Sequence, residues 1–298
     1  YKLKSLQKKY YEKARLKCAR YILVKDKNEV LDFIKNVGYP VFCKPDNGVG
    51  AQDTHKIRNE KDLEAFFLNK DESKTYIMEE FVNGQIISFD GIADSDSNVF
   101  YTSNVFINDN SEIVQNNLDD MYYCVPSKYL DPKFVEDGKN AIKAFEVKNR
   151  FFHLEWFKLK EDHPFLGKKG TIIPLEANMR PAGAFTPDLI NFANSINCYE
   201  IFADSIAFNE NREFMDFGKF YACATSRRNA LHYKNSLENI LAKYPNNICC
   251  YGDYPKALRD DMGDTYVFAK FKTLEEMFDF DKFVRLEGEQ RFRVQRIN

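Results

Sequence analysis

Two short segments of the chain place carboxylates and other polar side chains at the spacing of β-strands. Glu155 lies in HLEWF, and PLEANMRP contains Glu176, Asn178 and Arg180. Side chains alternate along a strand, so the last three share one face while the apolar residues between them point to the other. Paired as a hairpin, the two strands would bring both carboxylates together as hard oxygen donors suited to Mg²⁺. The alternative is a solvent-facing strand with an ordinary Glu–Arg pair.

A lysine followed by a glycine-bearing loop is the second candidate. Lys44 lies at the end of the apolar strand YPVFCKP (39–45), and Gly48, Gly50 and Ala51 follow within the loop DNGVGAQD. A lysine at a strand end can neutralise phosphate charge, and small residues let backbone amides approach phosphate oxygens. The loop is neither a Walker A motif nor GxGxxG. A surface turn with a snorkelling lysine is the alternative interpretation.

The first residues predict a helix with apolar residues along one face. From residue 2 to residue 20, Leu3, Leu6, Tyr10, Ala14 and Ala19 recur at helical spacing among many lysines. Downstream patterns predict alternating helices and strands: helices near 29–36, 60–68, 132–145 and 186–208, and strands near 39–45, 75–81, 85–93, 99–107, 151–159 and 170–180. From 219 to 285 the pattern is strand–helix–strand–strand–helix. These elements predict an α/β (α+β) fold with hairpins rather than a strict βαβ alternation.

Composition excludes several classes of protein. The 298 residues carry a formal net charge of −2 and are 44% hydrophobic, which argues against disorder and against a generally basic nucleic-acid-coating surface. No run of 18 apolar residues and no secretory signal are visible. The seven scattered cysteines form no CxxC pair. We therefore expect a cytoplasmic protein with reduced thiols that binds neither nucleic acid nor membranes.

Arg227 and Arg228 are a weaker candidate, at the end of the strand YACATSRR. Their guanidinium groups could bind a substrate carboxylate bidentately. A solvated strand end is the simpler alternative.

The order of five motifs along the chain resembles the ATP-grasp superfamily. These motifs are EKARLK (12–17), YPVFCKPDNGVG (39–50), YIMEEFVNG (76–84), FHLEWF (152–157) and PLEANMRPAG (174–183). Within the superfamily the chain looks most like the carboxylate–amine ligases related to the carbamoyl-phosphate synthetase large subunit. The resemblance implies an ATP-grasp fold, in which two α+β subdomains grip ATP between antiparallel sheets, with a small C-terminal α/β extension.

The resemblance also implies roles for individual residues. Lys13 and Lys44 would contact ATP phosphates, with Lys44 and Arg180 as catalytic residues, and Gly48–Ala51, including Gly50, would form a flap over the phosphates. The hinge that holds adenine would be Glu79, Glu80, Phe81 and Val82. The metal ligands for Mg²⁺, with Mn²⁺ as an alternative, would be Glu155, Glu176 and Asn178. Arg180 would steady the transferring phosphate or the acyl intermediate.

The chain departs from the family pattern at the ribose site. Many members have a Glu two residues after the hinge glycine, where this chain has Ile86. Asp90 could bind the ribose hydroxyls instead, or it could be a strand-end turn residue. The family usually has an N-terminal domain before the first helix, and we expect such a domain to be missing here.

These implications give a domain plan and a function. We expect a leading helix at 1–22, a small subdomain with the flap at 23–83, a large subdomain with the metal site at 84–217, and the extension at 218–298. The implied activity is an ATP- and Mg²⁺-dependent, ADP-forming ligase that activates a carboxylate as an acyl phosphate for an amine. The substrates would be amino acids or peptide-like molecules, with a homodimer as one option. The alternatives are a bicarbonate-phosphorylating enzyme and a non-catalytic nucleotide-binding module.

Overall fold

The computed structural model describes residues 2–48, 53–106, 120–209 and 219–288. The helices are α1 (Lys4–Lys13), α2 (Lys27–Val37), α3 (Glu60–Asn69), α4 (Pro132–Ala144), α5 (Thr186–Asn194), α6 (Cys198–Phe208), α7 (Leu237–Lys243), α8 (Arg259–Met262) and α9 (Leu274–Arg285). The strands are β1 (Tyr21–Val24), β2 (Val41–Pro45), β3 (His55–Ile57), β4 (Tyr76–Glu80), β5 (Gly84–Ala93), β6 (Val99–Phe106), β7 (Met121–Val125), β8 (Arg150–Leu159), β9 (Ile172–Asn178), β10 (Tyr221–Arg227), β11 (Ile248–Asp253) and β12 (Thr265–Phe271).

The chain divides into two compact units. The first comprises Tyr1–Ser103, Leu130–Gly183 and Tyr199–Glu213, and the second comprises Asn104–Tyr129, Ala184–Cys198 and Phe214–Asn298. The first unit contains a small sheet in the order β1-β4-β2-β3 and a second set of strands in the order β6-β5-β8-β9. The second unit contains strands in the order β11-β12-β10-β7. The domain boundaries expected from the sequence stay a prediction.

The small sheet is covered by two capped helices. The Asp26 side chain accepts hydrogen bonds from the first turn of α2, and Gly38 ends that helix with a φ of 81°. Asn59 caps α3 in the same way. One apolar cluster joins the helices to the sheet: Val30, Ile34, Val41, Cys43, Ile57, Leu63, Phe66, Tyr76 and Met78. Each large side chain in it contributes roughly 1.5–3 kcal/mol by burial, which holds β2 and β4 in place.

The first helix corrects a prediction from the sequence. The buried residues of α1 are Lys4, Gln7, Lys8 and Tyr11, whereas Leu3 and Leu6 are exposed. The predicted apolar stripe is therefore wrong. The polar face is inward because carboxylates and backbone groups of the neighbouring sheets bind it.

The predicted helix lengths also need two corrections. The leading helix ends at Lys13 rather than continuing to residue 20, since Arg15 adopts a φ of 60°, which an α-helix cannot include. The region 186–208 forms α5 and α6 instead of one helix, because Ser195 lies in the left-handed region. The other helices and strands expected within the described residues are found at or near the predicted positions.

The second unit is held together by α9 and by arginine side chains. A capping box at Thr273 and Glu276 begins α9, and Met277 and Phe280 are fully buried. Arg227 donates to the Val284 and Asn235 carbonyls, and Arg228 donates to two carbonyls of α8. Both guanidinium groups thus stabilise local backbone, and because Arg228 is 5% exposed the alternative of a solvated strand end is wrong for it. No helix among the described residues is long and apolar enough to cross a membrane.

Candidate functional site

Two carboxylates lie directly opposite one another on neighbouring strands of the first unit. Glu155 on β8 pairs in register with Glu176 on β9, and His153 pairs with Asn178. The register shifts after Glu155, where Trp156 pairs with Pro174 and Leu175 becomes the additional residue of a bulge. The predicted hairpin is therefore confirmed, and it brings the two carboxylates onto adjacent strands.

A buried histidine joins Glu155 to a third carboxylate. The His153 Nδ1 atom lies 2.6 Å from Asp90 Oδ1, and its Nε2 atom lies 3.1 Å from Glu155 Oε1. Burial lowers the pKa of His153, but the Asp90 and Glu155 carboxylates outweigh burial and raise that pKa to about 10. A protonated imidazole donates from both nitrogens, so His153 orients Glu155 while Asp90 orients His153.

The small sheet carries a second cluster of buried charges. Glu79 on β4 lies 2.5 Å from the Lys44 ammonium and 2.5 Å from the Lys8 ammonium. Burial raises the pKa of Glu79, but the charges of Lys44 and Lys8 outweigh it and lower that pKa to about 2. The charge of Lys44 also lowers the pKa of Glu155, after the larger opposing effect of burial and the contribution of His153. Lys44 is thus electrostatically coupled to both charged clusters.

Lys4 connects α1 to the carboxylates and to the loop after β2. Its ammonium donates to the Gly48 carbonyl at 2.8 Å and lies 3.5 Å from Glu176 Oε1. The Asp46 carboxylate accepts from the Ser5 backbone N–H at 2.7 Å and from the Ser5 hydroxyl at 2.8 Å. These bonds fix the start of the helix against the start of the loop, so the Lys4 side chain is buried at a defined place.

The segment between β4 and β5 leaves its backbone outside the sheets. The Glu80 carboxylate accepts from the Arg20 backbone N–H and from the Arg20 guanidinium, which anchors the end of β4. The Phe81 ring stacks on Phe42, and the Val82 side chain is buried in a small apolar cluster. Both carboxylates predicted for the hinge, Glu79 and Glu80, are thus engaged in ion pairs.

The structure brings together some of the predicted residues and not others. Lys44, Glu79, Glu155 and Glu176 belong to the coupled clusters described above, and Asn178 lies beside them on β9. Arg180 is exposed, donates to the Pro181 carbonyl and contributes to lowering the pKa of Glu155. Gly50 and Ala51 lie outside the described residues.

Two of the predicted binding residues are placed elsewhere than expected. The Lys13 side chain is 62% exposed and pairs with Glu146 at 3.6 Å. The structure does not bring it to the charged clusters, where Lys4 and Lys8 of the same helix lie instead. Asp90 is 2% exposed and binds His153 and the Ser88 hydroxyl. Its carboxylate is committed inside the sheet, which contradicts the expectation that it binds ribose.

Sequence reasoning missed Lys4, Gln7, Lys8 and Asp46. The signal that could have found the first three is their spacing with Tyr11, because residues three and four apart share one helix face. The chain offers two such faces in α1, one apolar and one polar. Composition alone favours burial of the apolar one.

The donors present fit a magnesium ion that also binds phosphate. Among the described residues, no group of three or more His, Cys, Asp or Glu side chains is arranged to hold a metal ion by itself. The predicted ligands are two carboxylates and one amide, and Mg²⁺ is commonly held by one or two carboxylates with the remaining positions filled by phosphates and water. The Lys4 ammonium lies 3.5 Å from Glu176 Oε1, so this carboxylate already faces one positive charge.

Comparison with known proteins agrees with this arrangement. Residues 4–148 match the family model described as carbamoyl-phosphate synthase L chain, ATP binding domain. A D-alanine–D-alanine ligase B of Clostridium perfringens is 34% identical over 89 residues, which is 28% of this chain and 29% of that ligase. The chain thus spans less than a third of the length of that curated relative.

Solved structures with the same fold cover nearly all of this chain. An L-amino acid ligase from Bacillus licheniformis has a TM-score of 0.68 and 15% identity, over 94% of this chain and 69% of that one. The biotin carboxylase domain of a Hydrogenobacter thermophilus 2-oxoglutarate carboxylase, solved with MgADP and bicarbonate, has a TM-score of 0.67 and 15% identity, over 93% and 64%. These solved structures share the fold of this chain, and the predicted ATP-grasp fold is confirmed.

Proposed function

We propose that the chain is an ATP- and Mg²⁺-dependent ligase that forms a C–N bond and releases ADP. The observation that carries this proposal is the in-register pair of Glu155 and Glu176, coupled to the lysine cluster of the small sheet through Lys44. A site of this kind combines cation ligands with phosphate-binding ammonium groups. Its substrates would be a small carboxylate and an amine, of amino-acid or peptide-like character.

The lysines near the loop after β2 would hold the phosphates. We assign this role to Lys44 and Lys4 rather than to Lys13, because Lys4 contacts the Gly48 carbonyl at the start of the proposed flap. Lys8 would act through Glu79, whose charge it shares with Lys44. Binding of a polyanion would offer Lys44 a second partner, and the remaining Lys8 would still balance Glu79.

The segment at Phe81 and Val82 would hold the adenine ring. Support for this assignment comes from the backbone groups left outside the sheets and from the ion pair of Glu80 with Arg20, which fixes the end of β4. Phe42 and Phe81 supply an apolar surface next to the segment. Ribose recognition then needs a group other than Asp90.

The strand pair would hold the metal. Glu155, Glu176 and Asn178 would be its ligands, with Glu155 oriented by His153. The bound Mg²⁺ would offset negative charge on the phosphates during transfer. Arg180, which is exposed beside Glu155, is free to turn toward an incoming carboxylate or toward the transferring group, and its guanidinium matches either in geometry.

The reaction needs positioning and charge neutralisation more than covalent help from the protein. A carboxylate oxygen attacks the γ-phosphorus of ATP, the bond from that phosphorus to the bridging oxygen breaks, and ADP leaves with the electron pair. The amine then attacks the carbonyl carbon of the acyl phosphate. Inorganic phosphate leaves with the C–O electron pair, and the nitrogen loses a proton.

A hydroxylamine trap tests this chemistry. The intact protein is incubated with ATP, Mg²⁺ and pools of amino acids and other small carboxylates, with hydroxylamine added to convert an acyl phosphate into a hydroxamate. We expect hydroxamate and ADP to appear together with one carboxylate, and both to be lost in Glu176→Gln. The variant Glu136→Gln, an exposed carboxylate on α4, serves as the matched control.

Other outcomes would replace the proposal. ADP release that requires bicarbonate and yields no hydroxamate would identify a bicarbonate-phosphorylating enzyme. Nucleotide binding without turnover in any pool would identify a binding module. The homodimer expected from the sequence is tested separately by sedimentation equilibrium.

A further inference from the structure

The strand that carries Glu176 and Asn178 is only partly held by its neighbour. In the described sheet, β9 is the terminal strand, with β8 on one side. The ladder to β8 is interrupted next to Glu176, because Leu175 is unpaired in the bulge and Pro174 has no N–H to donate. The open edge of β9 therefore needs another partner if the two polar side chains are to keep a fixed direction.

Gln7 supplies that partner. Its side-chain amide nitrogen donates to the Ala177 carbonyl at 2.9 Å, and its side-chain oxygen accepts from the Ala177 N–H at 2.9 Å. One amide thus satisfies both backbone groups of a single strand residue, as a neighbouring strand would do. Gln7 is 3% exposed and Ala177 is 2% exposed, so water does not compete for these bonds.

Ala177, the residue held by Gln7, lies between the two predicted metal ligands. Glu176 and Asn178 flank Ala177, and their side chains project from the face opposite to the buried Ala177 methyl group. A rotation of the backbone at Ala177 would therefore change the direction of both side chains together. Gln7 is itself fixed, since Asp46 holds the start of α1 and Lys8 is paired with Glu79.

We propose that Gln7 is a positioning residue that fixes the backbone of β9 at Ala177 and thereby aims Glu176 and Asn178 at the metal. This inference rests on the proposed function, because it assumes that these two residues ligate Mg²⁺. Gln7 does not touch the ion and acts only through the strand. Outer-shell partners that orient ligands typically change metal affinity by about 10–100-fold when they are removed.

The test compares metal binding with stability. Gln7→Met keeps the length and volume of the side chain but removes both hydrogen bonds. The control is Asn194→Leu, which removes a buried amide that donates to the Ile190 carbonyl in the second unit. For each protein we measure thermal unfolding, affinity for a non-hydrolysable ATP analogue without metal, and Mn²⁺ affinity with that analogue present, from the free-Mn²⁺ electron paramagnetic resonance signal.

We expect Mn²⁺ affinity to fall about 10–100-fold in Gln7→Met, with a much smaller change in metal-free nucleotide affinity. Asn194→Leu should lower the unfolding temperature and leave Mn²⁺ affinity at the wild-type value. If a folded Gln7→Met protein binds Mn²⁺ with wild-type affinity, the role of Gln7 is overturned and the proposed function is not affected. An equal loss in Asn194→Leu overturns it as well, because the effect would then follow general destabilisation.

Two further outcomes are decided by the same measurements. If Gln7→Met does not fold, Gln7→Asn decides, since it keeps the amide but is one methylene too short to reach both Ala177 groups; it should show the same selective loss of Mn²⁺ affinity, and unchanged affinity overturns the inference. If the wild-type protein binds no Mn²⁺ with the nucleotide, the proposed function fails, and the inference fails with it.

Discussion

The two sheets of the first unit carry opposite balances of charge. On the small sheet, two lysines face one carboxylate, since Lys8 and Lys44 both pair with Glu79. On the strands β5, β8 and β9, one imidazole faces several carboxylates: His153 binds Asp90 and Glu155, and Glu176 lies in register beside Glu155. The first cluster has an excess of positive charge and the second an excess of negative charge.

This difference indicates what each sheet can bind. Buried charges must be paired, because an isolated ion costs several kcal/mol to remove from water. The surplus in each cluster is the reason for the two proposed assignments: an anion such as phosphate at Lys44, and a cation such as Mg²⁺ at Glu155 and Glu176. The arginines of the second unit differ from both, because backbone carbonyls already satisfy Arg227 and Arg228.

The substitution with the largest expected effect removes the carboxylate from the charged cluster of the small sheet. Glu79→Gln removes the carboxylate that pairs with Lys8, whose side chain is 2% exposed. Removing one partner of a buried ion pair typically costs 3–5 kcal/mol. We expect a loss of about 3–5 kcal/mol in the free energy of unfolding, measured by urea denaturation. Asp32→Asn, which removes an exposed ion pair with Lys35, should cost no more than about 1 kcal/mol.

A second substitution shows whether the loss comes from the unpaired lysine. Adding Lys8→Met to Glu79→Gln removes the buried charge that was left without its partner, so part of the stability should return. If the double variant is as unstable as the sum of the two single variants, the ion cluster does not account for the loss.

The next prediction concerns the carboxylate cluster on β5, β8 and β9. Glu176→Gln keeps the shape of the side chain but removes its charge, and we expect kcat to fall about 10²–10³-fold, as loss of a preorganised electrostatic group commonly does. Initial rates of ADP formation measured across a range of Mg²⁺ concentrations check this. A fully active variant with unchanged Mg²⁺ dependence would contradict the assignment, and Glu136→Gln should behave as the wild type.

The carboxylate cluster on β5, β8 and β9 was largely predictable from the sequence. Strand alternation determines that Glu176 and Asn178 share a face, and the short link between the two strands determines that they pair. The bulge was not predictable, because nothing local to Leu175 requires it. Asp90 was misjudged for a similar reason: its position on a strand is visible in the sequence, whereas its bond to His153 joins residues 63 positions apart.

The lysine cluster around Glu79 on the small sheet was predictable only in part. Lys44 is marked by the apolar strand before it and the glycines after it. Lys4 and Lys8 resemble the other lysines of α1 in type and surroundings, and only docking of the helix selects the face that is buried. The bonds of Gln7 to Ala177 span 170 residues, so local periodicity carries no information about them.

A smaller effect separates Lys4 from Lys13. Lys4→Met should weaken binding of a non-hydrolysable ATP analogue about 10–100-fold, because a charge-assisted hydrogen bond contributes about 1.5–3 kcal/mol. Lys13→Met should leave the affinity unchanged, since the Lys13 ammonium is exposed and pairs only weakly with Glu146. Isothermal titration calorimetry measures both. A loss in Lys13→Met with none in Lys4→Met would restore the assignment made from the sequence.

The acid response of the small sheet has the smallest expected effect per step of the measurement, here one pH unit. Folding lowers the pKa of Glu79 from its ordinary value of 4.5 to about 2, because the charges of Lys44 and Lys8 outweigh the opposing effect of burial. A depressed folded-state pKa contributes stability that is present above the unfolded value and is lost as the pH falls through the folded value. As the pH falls from about 4.5 to about 2, the contribution of Glu79 to the free energy of unfolding should therefore decrease by at most about 1.4 kcal/mol per pH unit.

The difference between two proteins isolates this group from the other carboxylates that titrate in acid. Urea unfolding is measured for the wild type and for Glu79→Gln at several values from about pH 6 down to about pH 3, where the native states persist. The gap between their unfolding free energies should be constant above about pH 5.5 and should narrow as the pH falls, because the unfolded wild type takes up a proton at Glu79 that the folded wild type does not, and the glutamine of the variant has no such proton to bind. A gap that stays constant down to about pH 3 would mean that Lys8 and Lys44 do not hold Glu79 ionised, and the positive balance of the small sheet would lose its basis.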